Sequence, residues 1–164
     1  MLVRDFLAHR LFKLGVWIVL LVSAYLLQPY RAVIFVGNSM SPTYRNLEVA
    51  LASTDISHIH KGDVVVIEGP EGIIVKRIAY MPGDWVDKFE FQGEWYYTDG
   101  YVVSPHSLDK LGSRVKRGQA WIPGGYIFVL GDNAVESVDS RQLGAIPISS
   151  IRCVLVHPKS GANS

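Results

Sequence analysis

A single cysteine among 164 residues leaves this chain with no possible intrachain disulfide. Cys153 stands in an apolar C-terminal stretch and reads as a small buried hydrophobe. It makes no metal-ligand spacing with His58, His60, His106 or His157, so neither a metal nor a cofactor is expected. Charge of one sign is also scarce: 16 basic and 15 acidic residues leave a net charge of +1. With no long basic run, nothing supports a nucleic-acid partner. None of the five histidines holds a strand-turn position beside an orienting aspartate, which removes the commonest base for a nucleophilic serine. Repeats and low-complexity segments are missing too, so the chain after its N-terminus suits one compact domain.

What is present is a long apolar run. Leu11 to Leu27 is interrupted by Lys13 and softened by Gly15 and Ser23. As a helix these 17 residues would rise about 26 Å, near the lower limit for a ~30 Å hydrocarbon core. Lys13 can snorkel to the near interface, and Trp17 and Tyr25 supply amphipathic rings closer to the two surfaces. Arg4, Arg10 and Lys13 precede or open the run, and only Arg31 closely follows it. The positive-inside rule therefore keeps residues 1–10 cytoplasmic and exports the rest. A single transmembrane anchor is expected at 11–28. A cleaved signal peptide is disfavoured by the bulky Tyr25-Leu26-Leu27-Gln28, and a buried core helix by the lack of a polar face from Val16 to Val22.

Beyond the anchor, Pro29 ends the helix, and short β-rich runs alternate with Gly/Pro turns. Strands are predicted at Ala32–Val36, Leu47–Ala52, Val64–Ile67, Ile73–Tyr80, Tyr126–Leu130 and Ile151–Val156, with short hairpin strands between Trp85 and Tyr101. Ser104 to Gln119 and Asp132 to Gly144 read as polar loops. The pattern predicts a mainly β fold at 29–158, a sandwich or partly open barrel of short antiparallel strands, followed by a frayed tail at 159–164. The aromatics Trp85, Phe89, Phe91, Trp95, Tyr96 and Tyr97 read as hairpin packing, with lipid contact as the alternative.

The chemistry concentrates in three blocks. Ser39 lies in Gly37-Asn38-Ser39-Met40-Ser41-Pro42-Thr43, about ten residues past the apolar run. A serine needs a neighbour to accept its proton, and lysine can do so only if burial brings its pKa well below the ordinary ~10.4. Strand alternation puts Lys76 between Ile74 and Ile78 on one face, the apolar surroundings such a shift requires. The third block runs Gly131-Asp132-Asn133, then Ser137, Asp139, Ser140 and Arg141.

Ser-Met-x-Pro-Thr, Lys-Arg followed by Pro-Gly-Asp, and Gly-Asp-Asn followed by Ser and Asp-Ser-Arg occur in this order behind an anchor. Over roughly residues 10 to 156 the chain thus resembles the type I signal peptidases, membrane-bound serine proteases with a Ser/Lys dyad. The resemblance implies Ser39 as nucleophile and Lys76 as general base, with Ser137 orienting the lysine. It implies an oxyanion held by the Ser39 backbone N–H with a donor at or near Gly37. Asp139 and Arg141, with Asp132, become structural support. Ile34, Val36 and Ile74 would line pockets for small side chains of a substrate bound by strand addition.

The implied substrates are exported preproteins with signal peptides. The implied setting is a bacterial plasma membrane, with the domain on its outer face, in contact with lipids and acting as a monomer. Leu47-Glu48 and Ala134-Val135-Glu136 depart from the family's usual residues, which leaves room for a specialised pilin-processing peptidase of a conjugation or secretion system. A repressor-type autoprotease would need a DNA-binding domain where the apolar span lies. A catalytically inactive membrane-tethered β-domain is the remaining rival.

Overall fold

Proline cannot supply the amide hydrogen that continues a helix, and helix α1 (Leu2–Leu27) stops two residues before Pro29. The computed structural model describes residues 2–69, 72–97 and 115–161. Its chain divides into two units, Met1–Tyr30 and Arg31–Ser164. In the first, α1 begins well before the expected anchor boundary at residue 11. Its described side chains run from 9 to 25 and are exposed, the large apolar Phe12, Trp17, Val19 and Leu21 among them. Among the described residues no helix is long and apolar enough to cross a membrane.

The second unit is built from β1 (Tyr30–Ile34), β2 (Val49–Ser53), β3 (Val64–Gly69), β4 (Gly72–Tyr80), β5 (Trp85–Phe91), β6 (Glu94–Tyr97), β7 (Lys116–Trp121), β8 (Tyr126–Leu130), a short helix α2 (Ser140–Leu143), β9 (Ile146–Pro147) and β10 (Ile151–Leu155). They form a seven-stranded sheet in the order β1-β2-β10-β3-β4-β8-β9 and a three-stranded sheet β6-β5-β7. Every strand pair whose register is described is antiparallel. The mainly β expectation holds.

The run Val64-Val65-Val66-Ile67 explains the larger sheet. Successive side chains point to opposite faces, and all four are buried, so β3 is covered on both sides. Val64 and Val66 join Phe35, Met40, Tyr44, Ala52, Cys153 and Leu155. Val65 and Ile67 join Ile78, Ile127, Val129, Ile146 and Ile151 on the other face. Burying each such aliphatic side chain contributes roughly 1.5–3 kcal/mol, which makes β3 the element least tolerant of a polar substitution.

Several predicted boundaries move. β1 stops at Ile34, and Val36 is 82% exposed in the loop beyond it. Leu47 adopts φ 65°, a left-handed conformation that no strand accommodates, so β2 starts at Val49. Within the expected loop at 104–119, residues 104–114 lie outside the described set, but Lys116–Gln119 belong to β7 and pair with β5. Residues 98–101 of the expected hairpin also lie outside it. The loop at 132–144 contains α2, nucleated by a capping box: the Asp139 side chain accepts from the Arg141 N–H while Gln142 reaches back to the Asp139 N–H.

The smaller sheet is made of β5, β6 and β7. Val86 is buried with Ile122 and Phe128, and Tyr97 packs edge-on against Phe128. Phe89 is buried, whereas Trp85, Trp95 and Tyr96 are exposed. Lys159, in the expected tail, donates its backbone N–H to the Tyr44 hydroxyl at 2.7 Å, and residues 162–164 lie outside the described set.

Candidate active site

Ser39 sits in a loop that closes on itself. Phe35 and Glu48 pair at the base, with Phe35 N–H to Glu48 O at 2.9 Å and Leu47 N–H to Phe35 O at 2.7 Å. Inside it, Ser41 N–H bonds Asn38 O and Tyr44 N–H bonds Met40 O, each at 2.9 Å, which wraps the Ser39 segment into tight turns. Met40 and Tyr44 are buried, and Tyr44 stacks on Phe35 at 4.2 Å between ring centroids. These two side chains root the loop, leaving Ser39 half-buried above them. Gly37 takes φ 89°, which an L side chain rarely adopts, so glycine is required there.

The register of β3 with β4 places Lys76 opposite Val65, which is fully buried, with Ile74 and Ile78 two residues away on its own face. Lys76 is 3% exposed, and its amine lies 2.9 Å from Ser39 Oγ and 3.0 Å from the Val75 carbonyl. Burial lowers its pKa from the ordinary lysine value. The Asp139 carboxylate works against that shift and the Arg141 guanidinium adds to it.

The third block ties the other two together. Asn133 N–H donates to the Ser39 carbonyl at 3.0 Å. Asp132 takes two parallel bonds from Arg77, at 2.9 and 2.7 Å, and Arg77 also donates to Gly62 O. A bidentate pair of this kind fixes direction as well as distance. The residue beside the buried lysine is therefore clamped to the residue beside the one that holds Ser39.

Gly131 N–H donates to Asp139 Oδ2, and Asp139, fully buried, receives Arg141 through Nε and Nη2. Asp139→Ala would leave the Arg141 guanidinium buried without its counter-charge. We expect it to cost about 3–5 kcal/mol, read as a lowered urea midpoint.

Of the sequence-predicted residues, Ser39 and Lys76 bond each other, Asp139 pairs with Arg141, and Asp132 pairs with Arg77. The Gly37 N–H donates to Asn46 Oδ1 at 2.9 Å. Ser137 is buried, and its Oγ has no hydrogen-bond partner among the described residues. Ile34 and Val36 are exposed, while Ile74 packs partly into the core beside Val65 and Ile67. Among the described residues no cluster of side chains could hold a metal ion.

Sequence reasoning missed Asn46 and the Arg77–Asp132 clamp. Asn46 carried no signal, whereas the Lys-Arg and Gly-Asp-Asn motifs already named both members of the clamp.

A family model described as signal peptidase, peptidase S26, matches residues 7–157. The mitochondrial inner membrane protease subunit 1 of Xenopus tropicalis is 34% identical over 137 residues, which cover 78% of this chain and 70% of that protein. Signal peptidase I S of Bacillus subtilis (strain 168) is 31% identical over 141 residues, 78% of this chain and 73% of the relative. The crystal structure of a signal peptidase I from Enterococcus faecalis V583 aligns over 62% of this chain and 99% of that one, at 22% identity and a TM-score of 0.39, too weak a superposition to establish a common fold. On the family match and the identities over most of its length, this chain belongs to the signal peptidase family, peptidase S26.

Proposed function

We propose that this protein removes signal peptides from exported preproteins, with Ser39 as the acylating nucleophile and Lys76 as the general base. The observation that carries the reading is the 2.9 Å approach of Lys76 Nζ to Ser39 Oγ by a buried amine of lowered pKa. A neutral amine has one lone pair. With one N–H directed to the Val75 carbonyl, the lone pair is available to the serine hydroxyl.

Ser39 Oγ attacks the scissile carbonyl carbon as its proton passes to Lys76. The negative charge collects on the carbonyl oxygen, within reach of the Ser39 backbone N–H, which donates to no group among the described residues. Collapse breaks the C–N bond, and the Lys76 ammonium returns the proton to the leaving amine. Lys76 then deprotonates a water that attacks the acyl ester, releasing the signal peptide as its carboxylic acid and restoring the hydroxyl.

In this proposal α1 is the membrane anchor, its N-terminus cytoplasmic and its following unit on the outer face of a plasma membrane. The large apolar side chains exposed along α1 support that reading, as does the cationic bias of residues 4–13. Substrate enters as an added strand, and the exposed Ile34 and Val36 meet its small side chains.

Detergent-solubilised parent, Ser39→Ala and Lys76→Ala proteins incubated with a preprotein supply the test. We expect cleavage by the parent alone, insensitive to metal chelators. Equal processing by all three would overturn the reading and leave a tethered β-domain.

A further inference from the structure

We propose that Lys159–Gly161 forms a positioning strap that locks the nucleophile turn and the base-bearing strand in one frame. The inference rests on the Ser39–Lys76 reading above. Two separate contacts carry it. At one end, the Lys159 backbone N–H donates to the hydroxyl of Tyr44, a residue only 2% exposed. Tyr44 in turn bonds the carbonyl of Met40, the residue after the nucleophile, and stacks on Phe35 at the root of the same loop.

The Lys159 ammonium lies 5.1 Å from the Tyr44 ring centroid and pairs with Glu48. That pair is partly exposed and contributes little by itself; the bond to the buried hydroxyl is the one that fixes the loop.

At the other end, the strap lies against the clamp beside the base. A Cβ at Gly161 would stand 3.1 Å from Arg77 Nε and 3.5 Å from Asp132 Oδ1. The chain backbone therefore runs directly over the ion pair that joins β4 to the third block. Two residues of strap span the distance from the nucleophile's loop to the base's neighbour. Such a link resists relative movement of Ser39 and Lys76, and a displacement of about 1 Å between reacting groups can cost about a hundredfold in rate.

Full-length Tyr44→Phe and Gly161→Val proteins test this. The first removes the acceptor hydroxyl and keeps the ring stack; the second crowds the clamp without touching the nucleophile loop. They are compared with the parent for kcat and KM on a signal-peptide substrate, and for amide exchange in segments covering Met40–Tyr44 and Asn133. We expect kcat to fall about tenfold in each, KM to stay within about twofold, and exchange in these segments to quicken at an unchanged global unfolding midpoint. Parental kcat in both variants overturns the strap, as does a loss of activity that only follows a reduced folded fraction. A parent that does not cleave refutes the proteolytic reading instead, and parental exchange in both variants then overturns the strap independently.

Discussion

Lys76→Met is expected to abolish peptide cleavage and at the same time to stabilise the protein. The lysine is 3% exposed, and its pKa is lowered chiefly because burial penalises the ammonium. Methionine has a similar length and no charge to desolvate, so it fits between Ile74 and Ile78 without the cost the amine carries. Replacing buried ionisable groups with well-packed apolar ones stabilises other proteins by up to about 1–4 kcal/mol, and about 1 kcal/mol here would raise the melting midpoint by roughly 4 °C. Loss of the proposed general base should lower kcat by about a thousandfold or more.

The pH dependence has a definite sign. Between the lowered folded pKa and the ordinary unfolded value near ~10.4, the unfolded chain binds more protons than the folded one. The parent's stability therefore rises with pH through that window, and below it the burial penalty is present in full. Lys76→Met should remove that part of the slope. Activity of the parent should climb with pH along a limb set below the ordinary lysine value, since only the neutral amine accepts the serine proton. Thermal melts at several pH values and a pH–rate profile check both. A variant as labile as the parent, with the same pH slope, would show that the amine is not the strained group inferred here.

Gly131→Ala is the second large effect, and it acts with no change in charge or polarity. A Cβ at this position would meet Ser137 Oγ at 2.1 Å, Ser137 Cβ at 2.5 Å and the Ser39 carbonyl oxygen at 2.6 Å. None of these can step aside cheaply. Ser137 is buried, and the Ser39 carbonyl is backbone already held by the Asn133 N–H. The methyl group must push the third block away from the nucleophile, breaking that bond and weakening the Gly131 N–H contact with Asp139. We expect kcat to fall about a hundredfold and stability to drop by roughly 1–3 kcal/mol. Full activity in the alanine variant would mean that the two blocks are not in contact in the working enzyme.

The candidate site was legible because its chemistry leaves few choices. A lysine flanked on its own face by two isoleucines is conspicuous in a strand, and three short motifs in fixed order supplied the rest. The core strand β3 was legible for a related reason: four β-branched residues in a row suit an element covered on both faces. The capping box Asp139-Ser140-Arg141-Gln142 was equally readable, and it marks the helix inside the stretch expected to be a loop.

Other features depended on distant parts of the chain. Lys116-Arg117-Gly118-Gln119 has no strand-like composition, and it becomes β7 because β5 offers it a pairing edge and because Trp95 lies over Gly118. The bond from the Gly37 N–H to Asn46 and the bond from Lys76 to the Val75 carbonyl depend on how the loop and strand are set. Neither is encoded in a local pattern.

The order β1-β2-β10-β3-β4-β8-β9 has a consequence for the newly made chain. The loop carrying Ser39 joins β1 to β2, while Lys76 belongs to β4, and the seam between those halves is β10. Within it, Val154 pairs with Ser53 on one side and Val65 on the other. Without β10, hydroxyl and amine would belong to two pieces of sheet with no strand pairing between them. Pairing across so many residues is slow to nucleate. Under the proposed mechanism, a variant without β10 would cut nothing.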